Sequence, residues 1–318
     1  MSSTASTAAE PQINHDSLIV QFKADCELRG LTKGTIERYV GAAKKLVRFV
    51  EASGLDLRDD RTVLKGFLDH LRRNNLLSRK TLEGDFTSIS NFYEFLAYEG
   101  YVGANPVLPF RRRYITRYKD NDEGGERKLI SVEEMARLIN SEMNIRNKAL
   151  ITLLAKTGIR RNELISLDAS DVDLIEMKIR LKPTAKRTNR TVFIDDETAF
   201  ILRRWLRVRE GVNLKGITAL FINLESDRLN RRGVYEAVTN AAERVGLHDP
   251  ESDGMDDHFS PHCCRHWFTT HLRRAGMRRE FIQELRGDSR KEAIDIYDHI
   301  DLKELKEAYL ACIPQLGI

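Results

Sequence analysis

The sequence lacks the features that mark membrane-spanning and secreted proteins. No apolar run approaches the roughly 18 residues that a membrane helix needs, and residues 1–11 have neither the basic start nor the apolar core of a secretory signal. Cysteine is scarce: Cys26, Cys263, Cys264 and Cys312 form no spaced disulfide framework, so free thiols are expected. We therefore expect a cytoplasmic protein without a membrane partner, with residues 1–11 as a disordered tail.

The composition also lacks a large excess of either charge. Charged residues make up 31% and apolar residues 41% of the 318 positions, which excludes a wholly disordered chain and fits about two domains. The net charge is only +4, but 35 of the 52 basic residues are arginine, which binds phosphate bidentately. Between Gln12 and Tyr118, 18 basic residues stand against 13 acidic ones. A nucleic-acid partner and an ordinary solvated surface explain this charge about equally well.

Apolar residues that recur at helical spacing predict an all-helical first domain over residues 12–110. The predicted helices lie near 16–29, 36–50, 63–71 and 82–96. Gly54 ends the second helix, and Asn105-Pro106 ends the block. The polar segment 111–127, which opens with three arginines, is predicted as a linker. Such a linker can lie along a phosphate backbone or form a solvated hinge, and the sequence leaves both open.

The second domain, residues 128–318, is predicted to combine helices with a few strands. It starts at Ser131 and Glu134, which have the spacing of a capping box. Helices are expected near 131–141, 145–157, 197–210, 230–245, 261–275, 278–286 and 301–312. Alternating and β-branched residues predict strands around 172–181 and at 190–194, joined by a basic turn. The expected fold class is therefore mainly α with a small β-sheet.

Two short motifs in the second domain place chemically versatile residues at helical spacing. The stretch Thr-Gly-Ile-Arg-Arg-Asn-Glu-Leu puts Arg160 at a helix end and Glu163 one turn further on. The stretch His-Cys-Cys-Arg puts His262 and Arg265 on one helical face. Taken alone, the first motif is more simply an exposed ion pair. The second is uninformative alone, because about one His-x-x-Arg match arises by chance in this composition.

The second motif also contains the residue types that bind zinc, namely His262, Cys263, Cys264 and His266, and His271 extends the cluster. Adjacent cysteines on a helix diverge by about 100°, and the sequence has no second cysteine pair to complete a structural site. Buried thiols that pack as small apolar side chains are the better explanation. No metal ion and no other cofactor is therefore expected.

A third motif lies nearer the C-terminus, where Leu-Arg-Gly-Asp ends at Asp288 and Tyr297 and His299 follow. In chain order, the sequence shows Arg with Glu three residues on, Lys in a β-turn, His-x-x-Arg, and Gly-x(9)-Tyr-x-His. This ordered set resembles the tyrosine recombinase (phage-integrase) family over about residues 12–312. The resemblance implies a two-domain architecture, a helical core-binding domain followed by a mixed α/β catalytic domain.

The resemblance also implies a role for each matched residue. The catalytic residues that it implies are Arg160, His262, Arg265 and the nucleophile Tyr297. Glu163 matches the acidic residue that supports the site, and His299 matches the histidine that often follows the nucleophile. Lys186, four residues before the strand at 190, is the best match to the catalytic lysine of the β-turn. Lys182 is the alternative.

One position departs from the family pattern. Members usually carry Leu-Gly-His before the tyrosine, whereas this chain has Arg286-Gly287-Asp288. In this respect the chain resembles archaeal Xer and integrase-like members. A carboxylate cannot serve as a cation donor, but it can orient a neighbouring arginine or accept a proton. We therefore expect Asp288 in a supporting role.

The family resemblance further implies a reaction and its partners. Two guanidinium groups stabilise the charge that a phosphodiester gains in the transition state, and the tyrosine forms a 3′-phosphotyrosyl link. Religation then needs neither ATP nor a metal ion. The implied substrate is double-stranded DNA held between the two domains. The implied assembly is a homo-tetramer on DNA, from a chain that is a monomer or dimer when free.

The sequence leaves two other functions open. A type IB topoisomerase shares the chemistry on a single duplex, and a DNA-binding protein could carry a dead site because of Asp288. The apolar C-terminal segment Leu305–Ile318 has two possible docking sites, its own domain or a neighbouring protomer.

Overall fold

The structure is a computed structural model that describes residues 14–74, 78–115, 129–183, 190–252, 254–288 and 300–318. The chain divides into two compact units, Met1–Gly124 and Gly125–Ile318. The described residues are mainly helical with one three-stranded sheet, which confirms the predicted fold class. None of their helices is long and apolar enough to cross a membrane. The predicted tail, residues 1–11, lies outside the described residues.

The first unit is built from helices packed around a shared apolar core. They are α1 His15–Leu28, α2 Lys33–Ser53, α3 Asp60–Asn74, α4 Arg79–Tyr98 and α5 Val107–Tyr114. Aromatic residues fill the centre, where Phe22 and Phe92 lie 5.1 Å apart between ring centroids and both are fully buried. Gly54 adopts a left-handed conformation after α2, which ends the helix as predicted. The four predicted helices of this unit are confirmed.

Helix α5 corrects the predicted start of the linker. It begins directly after Pro106 and includes Arg111-Arg112-Arg113, so the helical block continues past the boundary expected at residue 110. The reason is an aromatic pair one turn apart: Phe110 stacks on Phe86 at 5.5 Å and contacts Tyr114 at 4.8 Å between ring centroids. These contacts anchor the helix although its exposed face is strongly basic. Residues 116–127 of the predicted linker lie outside the described residues.

The second unit combines a short antiparallel sheet with helices. The helices are α6 Val132–Asn140, α7 Ile145–Thr157, α8 Arg161–Ser166, α9 Asp196–Val212, α10 Arg231–Arg244, α11 Pro261–Arg274, α12 Arg279–Arg286 and α13 Leu302–Cys312. The strands are β1 Val172–Asp173, β2 Lys178–Leu181 and β3 Arg190–Phe193, in the order β1-β2-β3, with Ile179 opposite Val192. The predicted helices and strands are present, and the short α8 is an addition to them.

Helix α7 lies at the centre of this unit. Its residues from Ala149 to Thr157 are all buried, and it packs against α9 and α11. Before it, the predicted capping box is confirmed: the Ser131 hydroxyl accepts from the Glu134 N–H at 3.1 Å, and the Glu134 carboxylate accepts from the Ser131 N–H at 2.8 Å. The buried α7 therefore forms a fixed base for the residues that follow its C-terminal end.

The C-terminal segment docks on its own unit. Leu305 and Tyr309 are fully buried, and the Tyr309 hydroxyl donates to the Lys156 carbonyl at 3.0 Å. The buried Lys156 ammonium in turn donates to the Pro314 carbonyl and to the Glu197 carboxylate, both at 2.6 Å. Of the two docking sites left open by the sequence, the structure shows the one within the same chain.

Candidate active site

The turn after α7 fixes where Arg160 lies. Gly158 ends the helix in a left-handed conformation with φ of 61°, and a Cβ atom built on it would lie 2.3 Å from Phe268 Cδ1. Both the backbone angle and the close packing therefore require glycine. The chain then turns so that Arg160 occupies the N-cap position of α8, with its side chain about one-third exposed (37%).

Glu163 is buried one turn into α8 and connects three parts of the site. Its carboxylate accepts from the Arg160 backbone N–H at 2.6 Å. It also receives both terminal nitrogens of Arg190, Nη1 at 2.8 Å and Nη2 at 3.0 Å. The i, i+3 ion pair that this motif alone indicates is present, with Arg160 Nη1 3.5 Å from Glu163 Oε1. It is not an exposed surface pair, because Glu163 is buried and its shorter charged contacts are to Arg190, which opens β3.

Arg265 is almost completely buried on α11 and points toward the same turn. Helix α11 begins with Pro261 at its first position, as the sequence indicated. The Arg265 Nη1 donates to the Gly158 carbonyl at 2.6 Å. His262 lies one turn earlier on α11, where its side chain is exposed. The turn that carries Arg160 is therefore tied directly to the helix that carries the His-x-x-Arg motif.

The C-terminal end of α12 brings the two arginines together. The Arg286 carbonyl accepts from Arg160 Nη1 and from Arg265 Nη2, both at 3.0 Å. Asp288 Oδ1 accepts from Arg160 Nη2 at 3.0 Å and from Arg265 Nη2 at 3.2 Å. Cations are favoured at this end of a helix, where carbonyl groups lack helical partners. Gly287, with φ of 59°, turns the chain so that Asp288 faces the arginines.

The electrostatics of the site keep both carboxylates ionised. Burial by itself raises the pKa of Glu163, but the hydrogen bonds from Arg190 and the Arg160 N–H outweigh it and hold the pKa below its ordinary value. Burial acts in the same direction on Asp288, and the charges of Arg286, Arg265 and Arg160 more than offset it, so this pKa is also lowered. An ionised Asp288 pairs with arginine rather than holding a proton.

Burial, reinforced by the neighbouring charges of Arg160 and Arg286, lowers the pKa of Arg265. The guanidinium still keeps its charge near neutral pH, because arginine is not deprotonated in proteins. A desolvated cation of this kind interacts strongly with an anion that enters the site.

A cleft of about 340 Å³ opens beside the two arginines. Its lining includes Arg160, His262 and Arg265, together with Ser260 and Tyr235. The cleft thus places two guanidinium groups and an imidazole at one solvent-accessible surface. Such an arrangement suits an anionic group with several oxygens, such as a phosphodiester.

The structure does not place every residue expected in the site. Lys186, Tyr297 and His299 lie outside the described residues. The alternative lysine, Lys182, is described: its ammonium forms an ion pair with Asp168 and lies 3.8 Å from Asp171 Oδ2. Lys182 is therefore already engaged by two carboxylates.

The remaining residues of the His-Cys-Cys-Arg region do not form a cluster. Cys264 is completely buried and Cys263 nearly so, and burial raises the pKa of the Cys264 thiol. His271 lies away from the cleft, where its Nε2 is 3.3 Å from the Ile130 carbonyl and its ring contacts Trp267. Within the described ranges, no three His, Cys, Asp or Glu side chains are placed to share a metal ion.

Two residues of the site were not identified from the sequence. Arg190 appeared there only as the first residue of a predicted strand, and Arg286 only as part of the motif before Asp288. Glu163 lies 27 residues before Arg190, so no local spacing links that pair, and Arg286 lies two residues before Asp288, which is not a helical pairing distance.

Comparison with known proteins identifies the family. Residues 128–304 match the Phage integrase family. Tyrosine recombinase XerC of Corynebacterium glutamicum is 31% identical over 238 residues, which span 75% of this chain and 73% of that protein. Tyrosine recombinase XerC of Haemophilus ducreyi is 29% identical over 258 residues, or 80% of each chain.

Solved structures share the fold at lower sequence identity. The XerH site-specific recombinase bound to a palindromic difH substrate has a TM-score of 0.65 at 22% identity, covering 91% of this chain and 83% of that one. A lambda integrase tetramer bound to a Holliday junction also has a TM-score of 0.65, at 14% identity, covering 91% and 78%.

The chain belongs to the phage integrase family, because the matched segment covers more than half of its 318 residues. It is a tyrosine recombinase, an enzyme of site-specific DNA recombination, as the order of its motifs predicted.

Proposed function

We propose that the protein cuts and rejoins duplex DNA through a 3′-phosphotyrosyl intermediate. The observation that carries the proposal is the convergence of Arg160 and Arg265 on the end of α12, beside an open cleft. There they stabilise the additional negative charge on the scissile phosphate in the transition state. A phosphodiester that is exchanged for another phosphodiester conserves its bond energy, so religation needs no ATP.

The remaining roles follow from the chemistry that the reaction needs. Tyrosine has an ordinary pKa near 10, so Tyr297 needs help to lose its proton before it attacks phosphorus. His262, at the cleft, supports that proton transfer. Lys186 acts as the general acid that protonates the leaving 5′-hydroxyl. The engagement of Lys182 by Asp168 and Asp171 favours Lys186 for this role.

The proposed supporting residues act through the two arginines. Glu163 fixes the Arg160 backbone, and Asp288 accepts from both guanidinium groups. These contacts favour the orienting role of Asp288 over the proton-accepting one. His299, two residues after the nucleophile, is proposed as a further supporting residue.

The proposed substrate is double-stranded DNA, and the proposed assembly is a homo-tetramer formed on it, from a chain that is a monomer or dimer when free. The family supports this, as do structural neighbours that were solved on DNA, one as a tetramer on a Holliday junction. Lysine and arginine contacts to phosphates should make binding fall steeply with salt. The proposed compartment is the cytoplasm, which the free thiols of the four cysteines support.

The test is covalent capture on DNA. The full-length protein is incubated with nicked duplexes from the DNA that flanks its own gene, and detergent-resistant protein–DNA adducts are mapped to the nucleotide. We expect an adduct on a 3′-phosphate with the wild type and none with Tyr297→Phe, whose DNA affinity should be nearly unchanged. Tyr98→Phe, at an exposed tyrosine of the first unit, is the matched control.

Two measurements separate the alternatives. If the chain were a catalytically dead DNA-binding protein, the wild type would form no adduct in this assay. If it were a type IB topoisomerase, it would also relax supercoiled plasmid that lacks the mapped site. An adduct formed by Tyr297→Phe at the wild-type rate would contradict the proposed nucleophile.

A further inference from the structure

Arg286 and Asp288 form an ion pair at the C-terminal end of α12, on either side of Gly287. Arg286 Nε lies 2.9 Å from Asp288 Oδ2. The other oxygen of the same carboxylate, Oδ1, accepts from Arg160 and Arg265. Among the described residues, one carboxylate therefore contacts three guanidinium groups, with Oδ1 near Arg160 and Arg265 and Oδ2 near Arg286.

The ion pair with Arg286 affects how the Asp288 carboxylate contacts the other two arginines. The charged Arg286 side chain lies against Oδ2, and Oδ1 is the oxygen that accepts from Arg160 and Arg265, each of which gives it one terminal nitrogen. If Arg286 lost its charge, the carboxylate could turn and offer both oxygens to one arginine. Bidentate pairing is the favoured geometry between carboxylate and guanidinium. A bidentate pair of Asp288 with Arg160 or Arg265 would occupy guanidinium N–H groups that a bound phosphate needs.

The pairing also balances charge in a partly buried place. The side chains of Arg286 and Asp288 are 32% and 28% exposed, and that of Arg265 is 5% exposed. If a cation replaced the carboxylate, it would lie next to three other positive groups, Arg160, Arg265 and Arg286. Like charges this close repel more strongly where water is largely excluded.

We propose that Arg286 and Asp288 act as one coupled unit that sets how many N–H groups of Arg160 and Arg265 remain for the scissile phosphate. Arg286 is therefore a positioning residue for strand cleavage. This inference rests on the proposed function and deepens it. The Leu-Gly-His pattern named above has neither an arginine nor a carboxylate at these two positions, so the double variant described next replaces both members of the pair by the residues of that pattern.

The inference is tested by a double-mutant cycle in the full chain: Arg286→Leu, Asp288→His, and both together. Each single change should slow covalent adduct formation at least about tenfold, and the double variant should recover at least about tenfold over Asp288→His, as expected for directly coupled residues. DNA affinity, measured in parallel, should change less than the cleavage rate. Effects on cleavage that multiply independently would overturn the coupling.

A second readout does not depend on cleavage. Urea unfolding is measured at pH 8 and pH 5.5 for the same variants. The loss of unfolding free energy caused by Asp288→His should be larger at pH 5.5 than at pH 8, because a histidine gains its charge below about pH 6.5. This increase should be smaller in the double variant, which lacks the Arg286 charge. If the wild-type protein cleaved no DNA, both the proposed function and the positioning role would be contradicted. The unfolding measurements would still show whether Arg286 and Asp288 are energetically coupled.

The first unit offers a matched control. Asp56 and Arg58 have the same two-residue spacing, their Oδ2 and Nη2 lie 2.6 Å apart, and they are 39% and 32% exposed. The cycle Arg58→Leu, Asp56→His and the double variant should leave the cleavage rate unchanged. A recovery pattern in this pair like that of the α12 pair would show a general effect of breaking short-range ion pairs and would overturn the positioning role.

Discussion

Arg190 and Glu163 meet fork to fork, with two parallel hydrogen bonds between a guanidinium and a carboxylate that are both at least nine-tenths buried. The pair joins β3 to α8, and the Arg190 Nε also donates to the Leu285 carbonyl on α12 at 3.2 Å. Three elements that carry the site are thus held together by one side chain.

Arg190→Met should destabilise the protein by about 3–5 kcal/mol, the usual cost of leaving one partner of a buried ion pair alone. Equilibrium unfolding in urea measures this. Arg190→Lys should recover only part of the loss, because lysine cannot form the two parallel bonds. A loss below about 1 kcal/mol for Arg190→Met would show that the pair is not a principal support of the site.

Arg160→Ala and Arg265→Ala should each slow strand cleavage by about 10²–10³-fold, the usual effect of removing one preorganised donor to a developing oxyanion. Arg→Lys at either position should rescue poorly. Single-turnover adduct formation on nicked DNA gives the rates. Cleavage within a few-fold of the wild type would contradict the proposed roles.

Lys186→Ala should be slow on a normal 5′-hydroxyl leaving group and should recover on a substrate with sulfur at the 5′-bridging position. A thiolate leaves without a proton, so the general acid is no longer needed. Lys182→Ala is the matched control, since a lysine held by Asp168 and Asp171 should affect both substrates alike. Recovery with Lys182→Ala alone would reverse the assignment.

Gly158→Ala should reduce both stability and cleavage. The left-handed backbone alone costs a non-glycine residue about 1–2 kcal/mol, and the new methyl group meets the Phe268 ring at 2.3 Å. Gly54→Ala is the control, because that glycine is also left-handed but has no atom within 4 Å of the added Cβ. Similar losses of cleavage in both variants would argue against a specific role of the turn.

The stability of the wild type should depend on the ionisation of Glu163 and Asp288 in acid. Both folded pKa values are lowered, so their contribution is complete above the unfolded values of about 4.3 and 3.9. It is lost as the pH falls through the folded values. The difference in unfolding free energy between the wild type and Glu163→Gln should therefore shrink below about pH 4. A difference that stayed constant from pH 6 to pH 3 would contradict this.

Most of the helices and strands could be predicted from the sequence, because their signals are local. Apolar spacing marks the helices, and residues such as Gly54, Gly158 and Ser131 mark their ends. Helix α5 was not predicted, because its sequence is dominated by three arginines and the aromatic contact that anchors it is made with Phe86 in another helix.

The site was predictable only in part. The motif order placed Arg160 and Arg265 in it, but their shared acceptors at the end of α12 depend on tertiary packing. Sequence spacing gave no reason for Arg190 to pair with Glu163, or for the Arg286 side chain to lie against the second oxygen of Asp288.

The contacts of this site also bear on when the enzyme becomes complete during its synthesis. Arg160 and Asp288 are 128 residues apart, and Lys156 and Pro314 are 158 residues apart. Chains are made from the N-terminus, and domains generally fold as units. The ribosome must therefore release nearly all of the second unit before the two arginines acquire their acceptors, whereas the first unit can fold while synthesis continues.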